Sequence, residues 1–298
     1  MVRFWQLFVE PFVRTLKPRR IMEIGADSGS NTRRVLKYCL ENDCRLDVVD
    51  PAPQPRLFRV MRDYEAISTY HPLPGLEGMP IVEHPDLVLL DGDHNWQTVH
   101  AELTLMRTLS EQRNEAFPCV LAHDVAWPYA RRDMYYAPEK LRWTHPYAYK
   151  GIIPGRPELV EDGMNQVLAN ALVEGGPRNG VLTAIEDFIE AAPFEIEFRK
   201  LPFFNGLGIL VPRARMTPEL QTQIDSFFSG ETLLRACEAL ENDGMTIRAK
   251  LAETQIRMGR RTESLKRARE QLKMHEGTIA KLRRKLGARL DPSDDADL

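Results

Sequence analysis

The chain has 298 residues, of which 43% are hydrophobic, and a formal net charge of −3. This length leaves room for one α/β domain of about 200 residues with an appendage. The longest apolar runs fall well short of the roughly 18 residues that a membrane span needs, and residues 4–16 are too polar for a secretory signal. The four cysteines form no C-x-x-C pair, so a zinc site is not supported and reduced thiols in a cytoplasmic protein are expected.

Hydrophobic periodicity predicts alternating strands and helices. The predicted strands are 21–24, 46–49, 87–90, 119–122, 195–198 and 208–211, and the predicted helices between them are 32–40, 56–64, 96–109 and 181–190. This alternation implies a parallel sheet with right-handed crossovers. No helix separates the last two strands, which predicts an antiparallel hairpin that closes the sheet.

The first predicted strand runs into a turn that contains Gly25 and Gly29. Glycine lets the backbone approach a ligand closely, and a helix begins just after the turn. The second strand ends at Asp50, where an acid is placed to bind ribose hydroxyls. The pattern does not meet G-x-G-x-x-G, so a nicotinamide cofactor is disfavoured.

Two later strands end in acidic and histidine side chains. These are Asp91, Asp93 and His94 after the third strand, and His123 and Asp124 after the fourth. In open α/β sheets ligands collect outside the carboxyl ends of the strands, so all five are expected at one edge of the sheet. Carboxylates suit an oxygen-preferring divalent cation, and a neutral imidazole can accept a proton near pH 7.

Residues 126–177 interrupt the alternation with a stretch rich in Pro, Tyr, Trp and Arg. The stretch is too long and too aromatic for a simple connector. Long structured insertions at the ligand-binding edge are usually lids or substrate loops. We therefore expect this segment to contact the substrate.

After Pro218 the pattern changes to continuous helix, with apolar residues at heptad a and d positions, most regularly over 265–286. We favour an oligomerising coiled coil, and the alternative is one long helix packed on its own domain. Residues 248–289 hold 14 Lys and Arg against 4 Glu and no Asp. This excess could attract an anionic membrane or polymer, although a solvated basic face is the more frequent explanation.

The expected organisation is a domain over 1–215 with 126–177 as its insertion, a helical, coiled-coil oligomerisation segment over 219–290, and an acidic tail over 291–298. We expect a cytoplasmic homo-oligomer, with peripheral contact to the inner membrane left open. Nucleic acid is a disfavoured partner.

Two motifs resemble a known family. The turn after Glu23, together with Asp50, resembles the first motif of class I S-adenosylmethionine-dependent methyltransferases. The segment DGDHNWQTVHAEL, residues 91–103, resembles the D-x-D-H-x-Y-x-x-V-x-x-E-L segment of the group that includes the macrocin-type sugar O-methyltransferases and the cephalosporin-hydroxylase-like proteins. The resemblance extends over 21–211 and is weakest over 54–85.

The resemblance implies an α/β fold, a Rossmann-like class I methyltransferase sheet with helices on both faces, to which the heptad pattern adds a long C-terminal helix or coiled coil. It also implies O-methylation of a saccharide or glycoconjugate hydroxyl with S-adenosylmethionine as cofactor. The implied cofactor-binding residues are Glu23, Gly25, Ser28, Gly29, Asp50 and Asp91.

In the sugar methyltransferases of this group, the first Asp of the segment binds Mg²⁺, the His three residues on is the general base, and a Glu-Asp pair at the end of the next strand completes the metal site. Carried over, these positions are Asp91, His94 and the pair His123 and Asp124. The departure is His123 where the family has Glu. Imidazole is a poorer partner for Mg²⁺ than carboxylate, so the ion is different, such as Mn²⁺, or the site is weak or empty.

Substrate contacts are expected from polar and aromatic residues of the insertion that suit stacking on a sugar ring and bonding its hydroxyls. They are Arg131, Arg132, Asp133, Tyr135 and Tyr136.

Two other functions stay open. One is an iron-dependent hydroxylase of the cephalosporin-hydroxylase-like type, with His94, His123 and Asp91 as its triad. The other is a non-catalytic partner protein that works through its coiled coil.

Overall fold

The structure, a computed structural model, describes residues 1–287. Residues 288–298, which include the expected acidic tail 291–298, lie outside the described residues. The described residues divide into two compact units, of which the first is Met1–Ala236 and the second begins at Cys237. The first unit thus ends at Ala236, further along the chain than the boundary at residue 215 expected from the sequence.

Strands of the described residues fall into two sheets. In chain order they are β1 (Arg20–Ile24), β2 (Arg45–Val49), β3 (Ser68–His71), β4 (Leu87–Leu90), β5 (Cys119–His123), β6 (Met134–Tyr135), β7 (Tyr147–Ala148), β8 (Ala169–Ala171), β9 (Ile196–Leu201) and β10 (Leu207–Pro212). The larger sheet has the order β3-β2-β1-β4-β5-β10-β9, and the smaller one has the order β6-β8-β7.

Helices connect the strands of the larger sheet, and two more follow its last strand along the chain. In chain order they are α1 (Glu10–Leu16), α2 (Thr32–Glu41), α3 (Pro55–Arg62), α4 (Gly75–Gly78), α5 (Trp96–Arg113), α6 (Val181–Ala191), α7 (Pro218–Ser226) and α8 (Gly230–Gly287). Short 3₁₀ turns lie at Val2–Phe4, Met79–Ile81, Pro138–Lys140 and Arg213–Arg215, and a π-helical turn lies at Trp5–Val9.

Strand directions define the fold class. The neighbours among β3, β2, β1, β4 and β5 pair in parallel, whereas β10 pairs antiparallel with both β5 and β9. A parallel sheet whose last strand is inserted antiparallel next to β5 is the Rossmann-like class I methyltransferase sheet. The fold class expected from the sequence is therefore confirmed, including the closing hairpin and the long C-terminal helix.

The core forms because the central strands are apolar on both faces. Every residue of β4 is buried, and alternate residues of the central strands, such as Val88 and Val120, pack in one cluster with α5 and α6. Burying each Leu or Val side chain stabilises the fold by about 1.5–3 kcal/mol. This rigid sheet fixes the carboxyl ends of β1, β4 and β5, where the polar side chains begin.

The insertion between β5 and α6 forms its own small layer. Its strands β6, β8 and β7 pair antiparallel, around a small apolar cluster that includes Tyr129, Met134 and Ile152. The backbone N–H of Met134 donates to the carbonyl of His94 at 3.0 Å. This bond ties the insertion to the loop that follows β4.

In the second unit, α8 carries a column of apolar side chains spaced seven residues apart. They are Leu251, Met258, Leu265, Leu272, Ile279 and Leu286, and each is at least half exposed. Over residues 1–287, no helix combines the length and the apolar character needed to cross a bilayer. The thiols of Cys39, Cys44, Cys119 and Cys237 are free.

Candidate active site

A cavity of about 390 Å³ opens at the carboxyl ends of β1, β4 and β5. Residues from the glycine turn, the two acidic strand ends and the insertion line it. They are Met1, Val2, Gly25, Ala26, Asp27, Ser28, Ser30, Asn31, Asp91, His94, His123, Asp124, Tyr129, Met134, Tyr136, Asn165, Leu168 and Asn205. The structure therefore brings together the two polar strand ends that the sequence placed at one edge.

His94 and Asp124 form a close pair in the wall of this cavity. Nε2 of His94 lies 2.7 Å from Oδ2 of Asp124, while Nδ1 of His94 is buried with no hydrogen-bond partner. The edges of the Tyr129 and Tyr136 rings pack against the imidazole, with ring centroids 5.6 and 5.8 Å away. The carboxylate thus orients the imidazole and leaves one ring nitrogen unused.

The second histidine lies between two carboxylates. Nδ1 of His123 is 3.0 Å from Oδ1 of Asp91 and 2.8 Å from Oδ2 of Asp124. Its Nε2 lies 3.1 Å from the carbonyl oxygen of Phe204. The Met1 amino group also contacts Asp91, at 2.9 Å from Oδ2.

Electrostatic coupling shifts all four ionisable groups. Burial by itself lowers the pKa of His123, but Asp91 and Asp124 outweigh it and raise this pKa to about 9. In the same way, burial lowers the pKa of His94 while Asp124 raises it, with a net upward shift. Burial raises the pKa of Asp124, yet the two histidines hold it well below its usual range. The pKa of Asp91 is likewise lowered by His123 against the effect of burial.

Three of these side chains are close enough to share one ion. Ligand atoms of Asp91, His123 and Asp124 all lie within 4.8 Å of one another. Two carboxylates with one imidazole fit a divalent ion such as Mn²⁺ better than Mg²⁺, which prefers oxygen ligands. The iron-hydroxylase alternative needs His94, His123 and Asp91 as the ligands. Among residues 1–287, the three side chains whose ligand atoms lie close together include Asp124 in place of His94.

The glycine turn is shaped by packing against β4 and α3. Gly25 has φ +82°, and a Cβ there would lie 2.3 Å from the carbonyl oxygen of Asp91, so only glycine fits. Gly29 has φ +74°, and a Cβ there would lie 3.0 Å from the Leu57 side chain. The close approach brings Ser28, between the two glycines, to the cavity wall.

The Asp50 carboxylate stabilises the glycine turn through hydrogen bonds to its backbone. Its Oδ2 accepts hydrogen bonds from the backbone N–H groups of Ala26 at 2.8 Å and Asp27 at 3.0 Å, and its Oδ1 accepts from Ala52 at 2.8 Å. Asp50 is buried and does not line the cavity. Three backbone N–H groups thus occupy most of the four lone-pair positions of this carboxylate. The contact of Asp50 with ribose stays a prediction.

Glu23 fixes the start of α2. Its carboxylate accepts hydrogen bonds from Asn31 Nδ2 at 2.9 Å and from the Thr32 hydroxyl at 2.6 Å. Burial raises the pKa of Glu23 to about 7, although these two donors oppose the shift. Glu23 lies beneath the turn and outside the cavity lining, so the structure gives it a positioning role.

Of the five insertion residues predicted to contact substrate, only Tyr136 lines the cavity. Arg131 pairs with Glu186, and Arg132 is buried, where it donates to backbone carbonyls of the insertion. Asp133 and Tyr135 are also buried and bond to each other at 3.0 Å. These four residues lie outside the cavity lining, and Arg131 bonds to α6, so their contact with a substrate stays a prediction.

Sequence reasoning missed several residues of the lining, and four of them, Tyr129, Asn165, Leu168 and Asn205, come from the insertion and the closing hairpin. Asn205 donates to Oδ1 of Asp124 at 3.3 Å, and Asn165 donates to the Tyr129 hydroxyl at 2.6 Å. A signal existed for Asn205, since Asn-Gly between two strands marks a hairpin turn and this hairpin lies beside β5. No comparable pattern marks the other three residues.

No protein-family model and no curated protein matches the sequence. Among solved structures, an SAH-bound methyltransferase from Podospora anserina is 16% identical, with 71% of this chain and 77% of that chain covered and a TM-score of 0.44. The 1,6-didemethyltoxoflavin-N1-methyltransferase of Burkholderia thailandensis is 13% identical, with 68% and 77% covered and a TM-score of 0.39. The N,N-8-amino-8-demethyl-D-riboflavin dimethyltransferase of Streptomyces davawensis is 16% identical, with 70% and 54% covered and a TM-score of 0.41. The fold class rests on strand order and direction, not on these distant likenesses.

Proposed function

We propose that the protein is an S-adenosylmethionine-dependent methyltransferase that acts on a hydroxyl group of a saccharide or glycoconjugate. The observation that carries the proposal is the His94–Asp124 pair, 2.7 Å apart, in a cavity that the glycine turn also lines. A base held by a carboxylate is what transfer to a hydroxyl requires, because a neutral hydroxyl is a poor nucleophile.

The cofactor is assigned to the side of the cavity formed by the glycine turn. The cavity volume of about 390 Å³ falls within the range of small-molecule sites. The turn brings the hydroxyls of Ser28 and Ser30 to the cavity wall, with their Oγ atoms 2.9 Å apart. When bound, the cofactor supplies an electrophilic methyl group on a sulfonium sulfur.

His94 is the proposed general base. With its Nε2–H donated to Asp124, its Nδ1 lone pair is free to accept the hydroxyl proton. Nδ1 would take up the hydroxyl proton as the acceptor oxygen gains the methyl group, so the acceptor would become a methyl ether and the cofactor a thioether. Tyr136 covers the imidazole while 60% of its own side chain is exposed, so its ring can turn aside to admit a substrate.

Asp91, His123 and Asp124 would hold a divalent ion beside this base. Such an ion, when bound, lowers the pKa of a coordinated hydroxyl and orients it. The saccharide assignment rests on the family resemblance and on Tyr136, an exposed aromatic ring of the kind that stacks on sugars, at the edge of the cavity.

The test is transfer of a labelled methyl group from S-adenosylmethionine to a panel of saccharides and glycoconjugates, with wild type and with His94→Ala. We expect wild type to transfer the labelled methyl group to a saccharide. The rate of transfer by His94→Ala should be about a hundredfold lower. Absence of label together with absence of cofactor binding would instead favour a non-catalytic partner protein. Turnover that needs iron and an oxidant would favour the hydroxylase.

A further inference from the structure

A second cavity, of about 590 Å³, lies beside the candidate active site. The two cavities share Val2 and Ser30 in their walls. Residues from the N-terminal helical turns, α1, α2 and α3 line the second one. They are Val2, Trp5, Gln6, Glu10, Arg14, Ser30, Arg33, Arg34, Lys37, Tyr38, Glu41 and Arg56, and we call this cavity the basic groove.

The acids of the basic groove are already paired. Arg14 donates to Glu10 at 2.8 Å and to Glu41 at 3.2 Å. Its guanidinium also lies 5.9 Å from the centre of the Tyr38 ring. One arginine is therefore the ion-pair partner of both carboxylates, and the five cations of the groove still outnumber its two acids.

Among residues 1–287, no carboxylate lies within ion-pair distance of the four other cations in the same groove. They are Arg33, Arg34 and Lys37 on α2 and Arg56 on α3. A smaller hollow of about 270 Å³ shares Arg33 and Arg56 with the groove and adds Arg59 and one acid, Asp63, which lies 3.9 Å from Arg62. Two helices thus direct positive charge into one concave surface.

This arrangement opposes the stability of the helix that carries it. Arg33 and Arg34 stand in the first turn of α2, which has no acidic residue, and cations at a helix N-terminus interact unfavourably with the helix dipole. Arg33 and Lys37 are four residues apart on one helix, where like charges repel. A bound anion would offset the repulsion of Arg33 and of Arg34 by the helix dipole and the repulsion between Arg33 and Lys37. Exposure to solvent alone does not explain why cations occupy these positions.

We propose that the basic groove binds the phosphate or diphosphate group of the acceptor. The proposal rests on the proposed function and names a property of its substrate. The guanidinium fork matches phosphate oxygens in a two-pronged geometry, and the groove is large enough for a diphosphate and part of what it carries. An acceptor whose phosphate is bound in the basic groove would reach the active site past Ser30. The methylated sugar would then be attached to its carrier through a phosphate ester.

The experiment is calorimetric titration of the full chain with inorganic pyrophosphate, first at low salt and then at 0.15 M salt, where weak surface attraction is screened. Wild type should bind one equivalent saturably, and Arg33→Ser with Arg56→Ser should weaken binding at least tenfold. The matched control, Arg260→Ser with Arg261→Ser, removes the same charge from α8 and should change binding less than twofold. Equal weakening in both variants, or no saturable binding by wild type, would overturn the proposal.

Two further titrations identify the carrier. UDP-glucose and geranyl diphosphate share the diphosphate but differ in the group attached to it. Tighter binding of the first than of pyrophosphate indicates a nucleotide carrier, and tighter binding of the second indicates a lipid carrier. If neither binds to wild type although pyrophosphate does, an acceptor ester does not fit and the proposal fails.

Titration of the same proteins with S-adenosylmethionine separates this proposal from the proposed function. The groove variant should keep its cofactor affinity, because Arg33 and Arg56 do not line the active-site cavity. Cofactor binding without pyrophosphate binding refutes the groove and leaves the methyltransferase. Pyrophosphate binding without cofactor binding refutes the methyltransferase and leaves an anion site.

Discussion

Oδ2 of Asp124 lies 2.7 Å from Nε2 of His94 and 2.8 Å from Nδ1 of His123, so one carboxylate oxygen joins both histidines of the site. Asp124 follows β5 with φ +61°, a left-handed conformation that Asp adopts more readily than most residues. The base and the candidate ion-binding set are therefore linked through a single side chain. Changes at Asp124 should affect both.

Replacing His94 by Ala should lower the turnover of methyl transfer about a hundredfold or more while cofactor affinity stays within twofold, because the base acts on the acceptor. Steady-state kinetics and calorimetry measure the two quantities. His275→Ala, on the exposed surface of α8, is the control and should behave as wild type. Normal turnover of His94→Ala would remove the assignment of the base.

A divalent ion should bind at Asp91, His123 and Asp124. Asp124→Asn should weaken Mn²⁺ binding, followed by electron paramagnetic resonance, at least tenfold, because a charged ligand is lost. Asp93→Asn, in the same loop as Asp91 but outside the set, should bind Mn²⁺ like wild type. Chelation should reduce turnover, and activity that survives chelation unchanged would leave a mechanism with the base alone.

Glu102 should make the stability of the fold depend on pH. It is buried in α5, its Oε2 has no partner, and burial raises its pKa well above the ordinary value near 4.5. The folded state therefore keeps a proton that the unfolded chain releases, and the free energy of unfolding falls as pH rises through the raised pKa. Glu102→Gln cannot ionise, so at pH 8 it should be more stable than wild type, by about 1.4 kcal/mol per unit of pKa elevation.

Urea denaturation at pH 5 and pH 8 measures this effect. The gain of Glu102→Gln over wild type should be larger at pH 8 than at pH 5. Glu111→Gln, on the exposed face of the same helix, should show no such difference. A Glu102→Gln protein that gains nothing between the two pH values would show that Glu102 does not titrate as its burial implies.

The exposed apolar column of α8 should drive self-association. A coiled coil would remove Leu265 and Leu272, each more than 60% exposed, from water. Light scattering should give at least twice the mass of one chain for wild type, and one chain for Leu265→Ser with Leu272→Ser. Thr262→Ser, away from the a and d positions, should not change the assembly. A monomeric wild type would contradict the expectation and favour a helix that packs within its own chain.

The sheet and its polar edge could be predicted because buried parallel strands are continuous apolar runs. The strand 87–90 predicted from the sequence has the same bounds in the structure as β4. Strand β3 was missed because Ser68–His71 is a polar edge strand whose middle residues are at least partly exposed. Strands β6 to β8 are two or three residues long, so their formation depends on pairing within the insertion, which no local pattern encodes.

Roles within the site were harder to predict than positions. Arg132 was expected at the substrate as part of a polar and aromatic cluster, yet it is buried and donates to backbone carbonyls of the insertion. Asp50 stands at the strand end as expected, but two of its three backbone partners belong to a turn more than twenty residues earlier. Both outcomes depend on where the folded backbone directs its N–H and C=O groups, which residue types alone do not determine.

Calorimetric titration with S-adenosylmethionine tests the central claim most directly, with wild type and with Ser28→Trp. Ser28 lines the cavity and is only partly buried, so an indole there should fill the cofactor space without disturbing the core. Ser229→Trp, just before α8, is the matched control. We predict saturable binding by wild type and by the control, and loss of binding by Ser28→Trp. No binding by wild type, or equal binding by wild type and Ser28→Trp, would contradict the account.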